Sequence, residues 1–336
     1  MPVMPPDVGI RDVTLRDGLQ DADPISTEAK QAIFDALVSA GITDLELTSF
    51  VRADVIPALA DAEVLAAATA GAVDVAGAPV TRWALALNAR GAQRALAAGL
   101  RHLQYVVSVS DTHSRENAGQ STADALAGLA EVVTLARAED PTRTGGRNPS
   151  ETTHFSHEFA VVEVTLATAF GCPFELEVPV AAVVAAAEQA AGAGAGAISL
   201  ADTIGVATPI EVAALVAAVR TATGLDVGVH LHDTRGLAIA NALAAIEAGA
   251  VRIDGSVGGL GGCPFAPGAS GNLPLEDLVH ALDAMGVRTG ASVEGLVEAA
   301  RLACDAVGRP VASHVGIAGP RFAARAVPGT PGTPAG

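Results

Sequence analysis

Short apolar, β-branched runs alternate with longer stretches in which Ala, Leu and Glu recur at helical spacing, almost from end to end of the 336 residues. The short runs predict eight strands, at 10–15, 44–48, 82–87, 102–109, 161–167, 197–201, 227–231 and 252–256. Helices are predicted between them, among them 27–40, 55–70, 121–137, 181–191, 209–221 and 237–247. Several predicted helices stop at a glycine (Gly41, Gly71, Gly99, Gly224 and Gly249), the residue that closes a helix in left-handed backbone at no steric cost. Strands alternating with helices imply parallel β-structure. Eight repeats favour a closed (β/α)8 TIM barrel over an open doubly wound sheet. No G-x-G-x-x-G follows the first strand, which argues further against a dinucleotide-binding fold.

Two stretches break the rhythm. Residues 140–158 are polar and rich in turn formers, and they precede the fifth strand, so they read as an insertion on the face opposite a barrel active site. Residues 327–336 (VPGTPGTPAG) suit neither helix nor sheet and are expected to be disordered. Residues 1–308 thus read as a single barrel domain. Within it, 274–308 form accessory helices near the barrel mouth, and 309–336 are a C-terminal extension.

Composition narrows the partners. Half the residues are hydrophobic and 3% are aromatic, so the core is expected to be built from Ala, Val, Leu and Ile. A formal charge of −17 repels phosphate backbones and anionic bilayers, which argues against nucleic acid and membrane surfaces. A small anionic ligand survives that argument, because one local cation overrides the mean field. The cysteines are Cys172, Cys263 and Cys304, few and odd in number, as expected of a reducing cytoplasm. No basic-then-apolar leader and no apolar run of membrane-spanning length is evident.

A TIM barrel places its chemistry at the C-terminal ends of its strands, and the polar residues gather there. Arg16 and Asp17 follow the first strand, with Gln20 just beyond. Glu46 lies on the second strand, Asn88 after the third, Ser110 after the fourth, and Asp202 and Thr203 after the sixth. His230 and His232 end the seventh. On a strand, positions i and i+2 share a face, so the two imidazoles point the same way. With a carboxylate they make a mixed nitrogen–oxygen site suited to Mg2+ or Mn2+, and less well to Zn2+ or Co2+. The competing reading is two hydrogen-bonded histidines at a barrel rim. Glu46 could pair with Arg16 or move a proton, and Asp202 could orient a ligand or cap a turn. Cys263, in the run GGLGGCPF, could be a general acid or base, or a small buried hydrophobe. Cys172 and Cys304 are expected to be the latter. His102, His113, His154, His157, His280 and His314 lack evident partners and are expected mostly at the surface.

Together, TLRDGLQ (14–20), LELTSFV (45–51), SLADTIGVATP (199–209), HLHDTRGLAIANALAAIEAG (230–249) and SVGGLGGCPFAPGASGNLPLEDLV (256–279) resemble the hydroxymethylglutaryl-CoA lyase family of metal-dependent TIM-barrel lyases and Claisen-type synthases. The resemblance runs from residue 10 to about 286, with a weaker helical continuation to about 308. It implies cleavage of 3-hydroxy-3-methylglutaryl-CoA, or a related 3-hydroxy-acyl-CoA, to acetyl-CoA and a 3-oxo acid such as acetoacetate. It implies Asp17, His230, His232 and Asn272 as ligands of a divalent metal and Arg16 as the arginine facing the substrate carbonyl oxygen. Glu46 would be its acidic partner and Cys263 the catalytic loop cysteine. Asp17 and His230 are both candidates for the base. Arg16, Gln20, Asn88, Ser110 and Thr203 are candidates to contact the acyl-CoA, and a homodimer or higher homo-oligomer is expected. The chain departs from the family where Asn-Glu-Lys usually follows Gly-Leu-Gln: it has Asp21-Ala22-Asp23 and is one residue shorter. The alternatives are a 4-hydroxy-2-oxo-acid aldolase or Claisen-type condensing enzyme of the same barrel group and, from another class, a non-catalytic metal- or ligand-binding barrel.

Overall fold

In the computed structural model, strand β1 (Gly9–Asp12) pairs in parallel with both β2 (Asp44–Ser49) and β8 (Arg252–Gly255). Strands β3 (Thr81–Ala86), β4 (His102–Ser108), β5 (Val161–Ala167), β6 (Ala197–Asp202) and β7 (Asp226–Leu231) complete the ring in chain order, giving a closed eight-stranded parallel barrel. The structure describes residues 4, 5, 7–139, 161–262, 271–319 and 321. The expected insertion at 140–158, the tail at 327–336, Cys263, His154 and His157 lie outside the described residues.

Helices α1 (Thr27–Ser39), α2 (Ala62–Ala68), α3 (Ala89–Ala97), α4 (Asp111–Ala118), α5 (Thr122–Ala138), α6 (Val180–Gly192), α7 (Pro209–Thr223) and α8 (Ala238–Glu247) connect the strands. Their starts follow local chemistry. The Ser26 hydroxyl accepts from Ala29 N at the head of α1, and Thr208 with Glu211 forms a capping box ahead of Pro209 on α7. Outward-facing strand residues such as Ile198, Leu200, Val227, Val229 and Leu231 are fully buried. Each such side chain contributes about 1.5–3 kcal/mol of burial energy.

Two elements differ from expectation. The first strand stops at Asp12, and Thr14–Gly18 form a five-residue π-helical turn. Asp12 causes this: its carboxylate accepts from Thr14 N (2.9 Å) and from the Thr14 hydroxyl (2.7 Å), which pulls the chain out of the sheet. The helix expected at 55–70 is reduced to α2, because Pro57 heads a separate 3-10 turn, Pro57–Leu59, and cannot join a continuous helix.

The core between strands and helices is built from Ala, Val, Leu and Ile, as expected, while the barrel lumen is charged and polar. The lumen's lower layers hold Arg11, Asp44, Trp83, Gln104, Glu163, Arg252 and Asp254, all essentially or fully buried apart from the half-buried Asp44. Arg11 Nε donates to Asp254 Oδ1 (3.0 Å) and Nη2 to Oδ2 (2.5 Å), while Nη1 donates to Glu163 (2.9 Å). Arg252 donates to the other oxygen of Glu163. Both guanidiniums lie over the Trp83 ring, 5.1 and 5.4 Å from its centroid.

After β8, α9 (Leu275–Ala284), α10 (Val293–Val307) and the short α11 (His314–Ala318) pack on the barrel. Helix α10 lies against α1 and against the turn at Val257–Gly259. That turn needs glycine at 258: φ is +65°, and a Cβ there would lie 2.5 Å from Cys304 Sγ. Cys172 and Cys304 are buried, as expected. His102 and His113 are buried too, against expectation. His102 stacks on Trp83 with centroids 5.1 Å apart, and His113 Nδ1 shares a 2.8 Å hydrogen bond with Ser108.

Candidate active site

The π-helical turn carries Arg16 and Asp17 over the end of the barrel, where Glu46 on β2, His230 on β7 and His232 just after it converge. Arg16 Nη2 donates to Glu46 Oε2 at 2.7 Å, and Nη1 bonds Asp17 Oδ1. The arginine is thus clamped between two carboxylates and 7% exposed. The other Asp17 oxygen, Oδ2, is 3.4 Å from His232 Nε2 and 3.8 Å from His230 Nε2. It also accepts from Asn272 Nδ2 at 2.7 Å. One donor atom from each of Asp17, His230 and His232 lies within 4.8 Å of the others, a grouping able to hold a metal ion.

Several features fit a cation in this space. The two Nε2 atoms face each other at 3.2 Å, aiming two imidazole lone-pair positions at one point. Asn272 Oδ1 is buried without a hydrogen-bond partner among the described residues. A half-turn of that amide would exchange its oxygen for the nitrogen beside Asp17. Asn272 comes close because it forms an isolated bridge with His232, its N–H donating to Leu260 O, and because Leu273 N donates to Leu231 O (2.9 Å). Electrostatics point the same way. Burial works to raise the Asp17 carboxyl, but Arg16 and the two histidines outweigh it and hold it well below the usual carboxylate range. Burial pushes Glu46 up, against the pull of Arg16 and Arg11. Five carboxylates in the lumen (Asp17, Asp44, Glu46, Glu163 and Asp254) outnumber the guanidiniums of Arg11, Arg16 and Arg252, so added positive charge beside Asp17 is favoured.

The remaining candidates sit at the same end of the barrel with structural partners of their own. Asn88 caps α3 by accepting from Gly91 N (3.0 Å). Ser110 caps α4 and accepts from Cys172 Sγ (3.0 Å). The Thr203 hydroxyl accepts from Thr168 N (2.8 Å), and Thr168 is a β-branched residue held at φ +58°. Such strain in a β-branched residue is uncommon and gathers at functional sites. Gln20 Nε2 reaches Gly262 O at 3.5 Å. Asp202 accepts from Val206 N and Ala207 N, one bond per oxygen, so it caps the turn after β6. Asp21, in the departing Asp-Ala-Asp segment, pairs with Arg309 beyond α10 (3.3 Å) beside Gly262.

Sequence reasoning missed Asp254. It is fully buried on β8, in register with His230, and its Oδ2 lies 3.4 Å from His230 Nδ1. The signal available was the alternation Arg252-x-Asp254, two charges on one face of a strand predicted to be core.

The family model described as HMGL-like matches residues 7–303. The chain belongs to the HMGL-like family. It is 36% identical to a hydroxymethylglutaryl-CoA lyase of Bacillus subtilis (strain 168) over 317 residues, 92% of this chain and 96% of that protein. It is also 36% identical to an (R)-citramalyl-CoA lyase of Chloroflexus aurantiacus over 322 residues, 94% of this chain and 96% of that protein. A solved structure of an HMG-CoA lyase from Acinetobacter baumannii, in complex with coenzyme A and 3-methylmalate, superposes with a TM-score of 0.83 at 32% identity, covering 98% of this chain and all of that one. The HMGL-like chain is accordingly an enzyme of the oxo-acid lyase type. Among the described residues, no helix is long and apolar enough to cross a membrane.

Proposed function

We propose that this HMGL-like enzyme is a metal-dependent carbon–carbon lyase that cleaves 3-hydroxy-3-methylglutaryl-CoA, or a closely related 3-hydroxy-acyl-CoA, to acetyl-CoA and an oxo acid. The observation carrying this reading is the convergence of Asp17, His230 and His232 beside a clamped Arg16 at the end of the barrel. Asp17, His230 and His232 would hold a divalent cation, Mg2+ or Mn2+ by the mixed donor set, which would supply Lewis acidity to the reaction.

The chain's own residues account for the rest of the reaction. Asp17 or His230 takes the proton of the 3-hydroxyl. The hydroxyl becomes a carbonyl as the C2–C3 bond breaks, and the electron pair passes into the thioester as an enolate. Arg16, held by Asp17 and Glu46, donates hydrogen bonds to the thioester oxygen as negative charge develops on it. A proton returned to C2 completes acetyl-CoA, and Cys263 is the candidate donor by its motif. Asn272, whose amide lies against Asp17, would complete the ligand set.

A second substrate is favoured by one observation: the citramalyl-CoA lyase relative is as similar as the hydroxymethylglutaryl-CoA lyase one. That substrate undergoes the same bond cleavage with pyruvate as the oxo acid. Incubation with each thioester and Mn2+ or Mg2+, with chromatographic assay of acetyl-CoA, acetoacetate and pyruvate, separates the two. Metal-dependent release of acetyl-CoA from at least one is expected. A protein that binds Mn2+ and cleaves neither thioester would overturn the reading, as would full activity in chelator.

A further inference from the structure

We infer that Asp254 is a positioning residue for His230: it holds the imidazole proton on Nδ1, so that Nε2 presents its bare lone pair to the cation site. The inference rests on the metal reading of Asp17, His230 and His232 and adds a residue from a strand to which that reading assigns nothing.

The geometry is specific. His230 and Asp254 are register partners on β7 and β8, so backbone pairing fixes their separation. Nδ1 of His230 is buried, makes no shorter hydrogen bond, and faces Asp254 Oδ2 at 3.4 Å. Hydrogen bonds in ligand-free sites are often long and tighten when the site is filled. Asp254 cannot turn away. Arg11 grips both of its oxygens, and Arg252 Nε approaches Oδ1 at 3.4 Å. Those guanidiniums are themselves fixed by Glu163 and stacked on Trp83. Both carboxylate oxygens already accept from Arg11, so Asp254 meets Nδ1 as an acceptor and the imidazole atom facing it carries the proton. A carboxylate behind a ligating imidazole fixes its tautomer and raises its basicity.

The same logic sets the neighbouring ring. In metal-free protein, His230 Nε2 is then the acceptor of the 3.2 Å contact and His232 Nε2 the donor. The charged lumen below the site becomes a support that aims one ligand, in place of an aliphatic core that would leave the ring free to choose its tautomer.

The test uses the full-length protein and two readouts. At pH 8, long-range proton–nitrogen correlation spectra of 15N-labelled, metal-free protein are expected to show His230 protonated on Nδ1 and His232 on Nε2. A His230 ring protonated on Nε2 overturns the inference and needs no variant. The second readout is Mn2+ affinity by titration calorimetry. Asp254→Asn keeps the shape, but with Arg11 demanding acceptors its amide NH2 must turn toward either a guanidinium or Nδ1, which disfavours the ligating tautomer. A loss of about 10–100-fold in Mn2+ affinity is expected. Glu163→Gln is the comparison: it reaches Asp254 only through Arg11 and Arg252, so a smaller loss of Mn2+ affinity than in Asp254→Asn is expected. Unchanged affinity in Asp254→Asn, or a loss in Glu163→Gln as large as in Asp254→Asn, overturns the inference. Absence of Mn2+ binding by the natural chain would instead sink the metal reading on which it rests.

Discussion

Glu276 makes stability depend on pH in a direction opposite to most carboxylates. It lies near the start of α9 and is fully buried. Its Oε1 accepts from Gly258 N (2.9 Å) and from the Ser313 hydroxyl (2.5 Å), tying the turn after β8 to α11. Its Oε2 is buried without a partner among the described residues. Burial pushes the carboxyl up to about 7, against the pull of Ser313 and Gly258, with Asp277 adding to the rise. Asp12 and Cys304 also sense its charge. The folded state therefore binds this proton more tightly than the unfolded chain does. Stability is full below the ordinary glutamate range, falls as pH climbs from about 4.5 to 7, and stays at the lower level above. A rise of this size corresponds to roughly 3 kcal/mol. In Glu276→Gln, the amide oxygen keeps both hydrogen bonds, and the NH2 group takes the place of the unpartnered Oε2. The protonated carboxyl of the natural chain carries a like unmet donor on Oε2 at pH 5. The variant should thus be about as stable as the natural chain at pH 5 and more stable than it at pH 8, where the natural carboxyl has ionised, by up to roughly 3 kcal/mol. The check is denaturant unfolding of both proteins at pH 5, 6, 7 and 8. A stability difference that stays constant within about 0.5 kcal/mol across that range refutes the reasoning.

Other outcomes follow from the site and its supports. His232→Ala is expected to abolish measurable Mn2+ binding and thioester cleavage together, since it removes one of two facing nitrogens; calorimetry that still shows tight Mn2+ binding would contradict this. Arg16→Gln should lower kcat by about 10²–10³ while leaving KM within a few-fold, because the guanidinium acts on charge that develops in the transition state; steady-state kinetics that move KM alone would count against it. Gly258→Ala should lower stability by about 2 kcal/mol from its positive φ and the approach of Cys304, and Cys304→Ala in the same chain should restore the steric part only, as thermal unfolding would show. Arg309→Ala, which frees Asp21 at the mouth, should raise KM for an acyl-CoA but not for the matching acyl-pantetheine, whose tail lacks the CoA phosphates; equal effects on both would exclude a phosphate contact.

The barrel itself was legible because its signal is repeated. Eight apolar runs with helices between them admit few closed arrangements, and strand positions were recovered to within one or two residues except at β1. The exception is instructive. Residues 13–15 (Val-Thr-Leu) look like strand by propensity, yet Asp12 bonds Thr14 and turns the chain into a π-helix. That local competition is invisible to periodicity, and it is what carries Arg16 and Asp17 over the barrel end. The histidine pair was legible because strand spacing alone puts i and i+2 on one face. Asn272 was not, since its place depends on a bridge to His232 from forty residues away in sequence.

The lumen was less legible, for a deeper reason. Hydrophobicity reports which residues leave water, and in this barrel the strand residues that pack on helices do so as aliphatics while many of those that point inward are charged or polar. Arg11, Asp44, Glu46, Gln104, Glu163, Arg252 and Asp254 all sit at alternate positions of predicted core strands, so the pattern was present. Reading it required accepting buried charge, which is costly unless each group is paired. Here the pairing is extensive: Arg11 bridges Asp254 and Glu163, Arg252 closes onto Glu163, and Arg16 spans Asp17 and Glu46. An aliphatic filling of the same volume would be no less stable by that accounting. What the charges add is orientation. They aim Arg16 at one face and His230 at a point shared with His232 and Asp17, so the lumen fixes the geometry of the site above it.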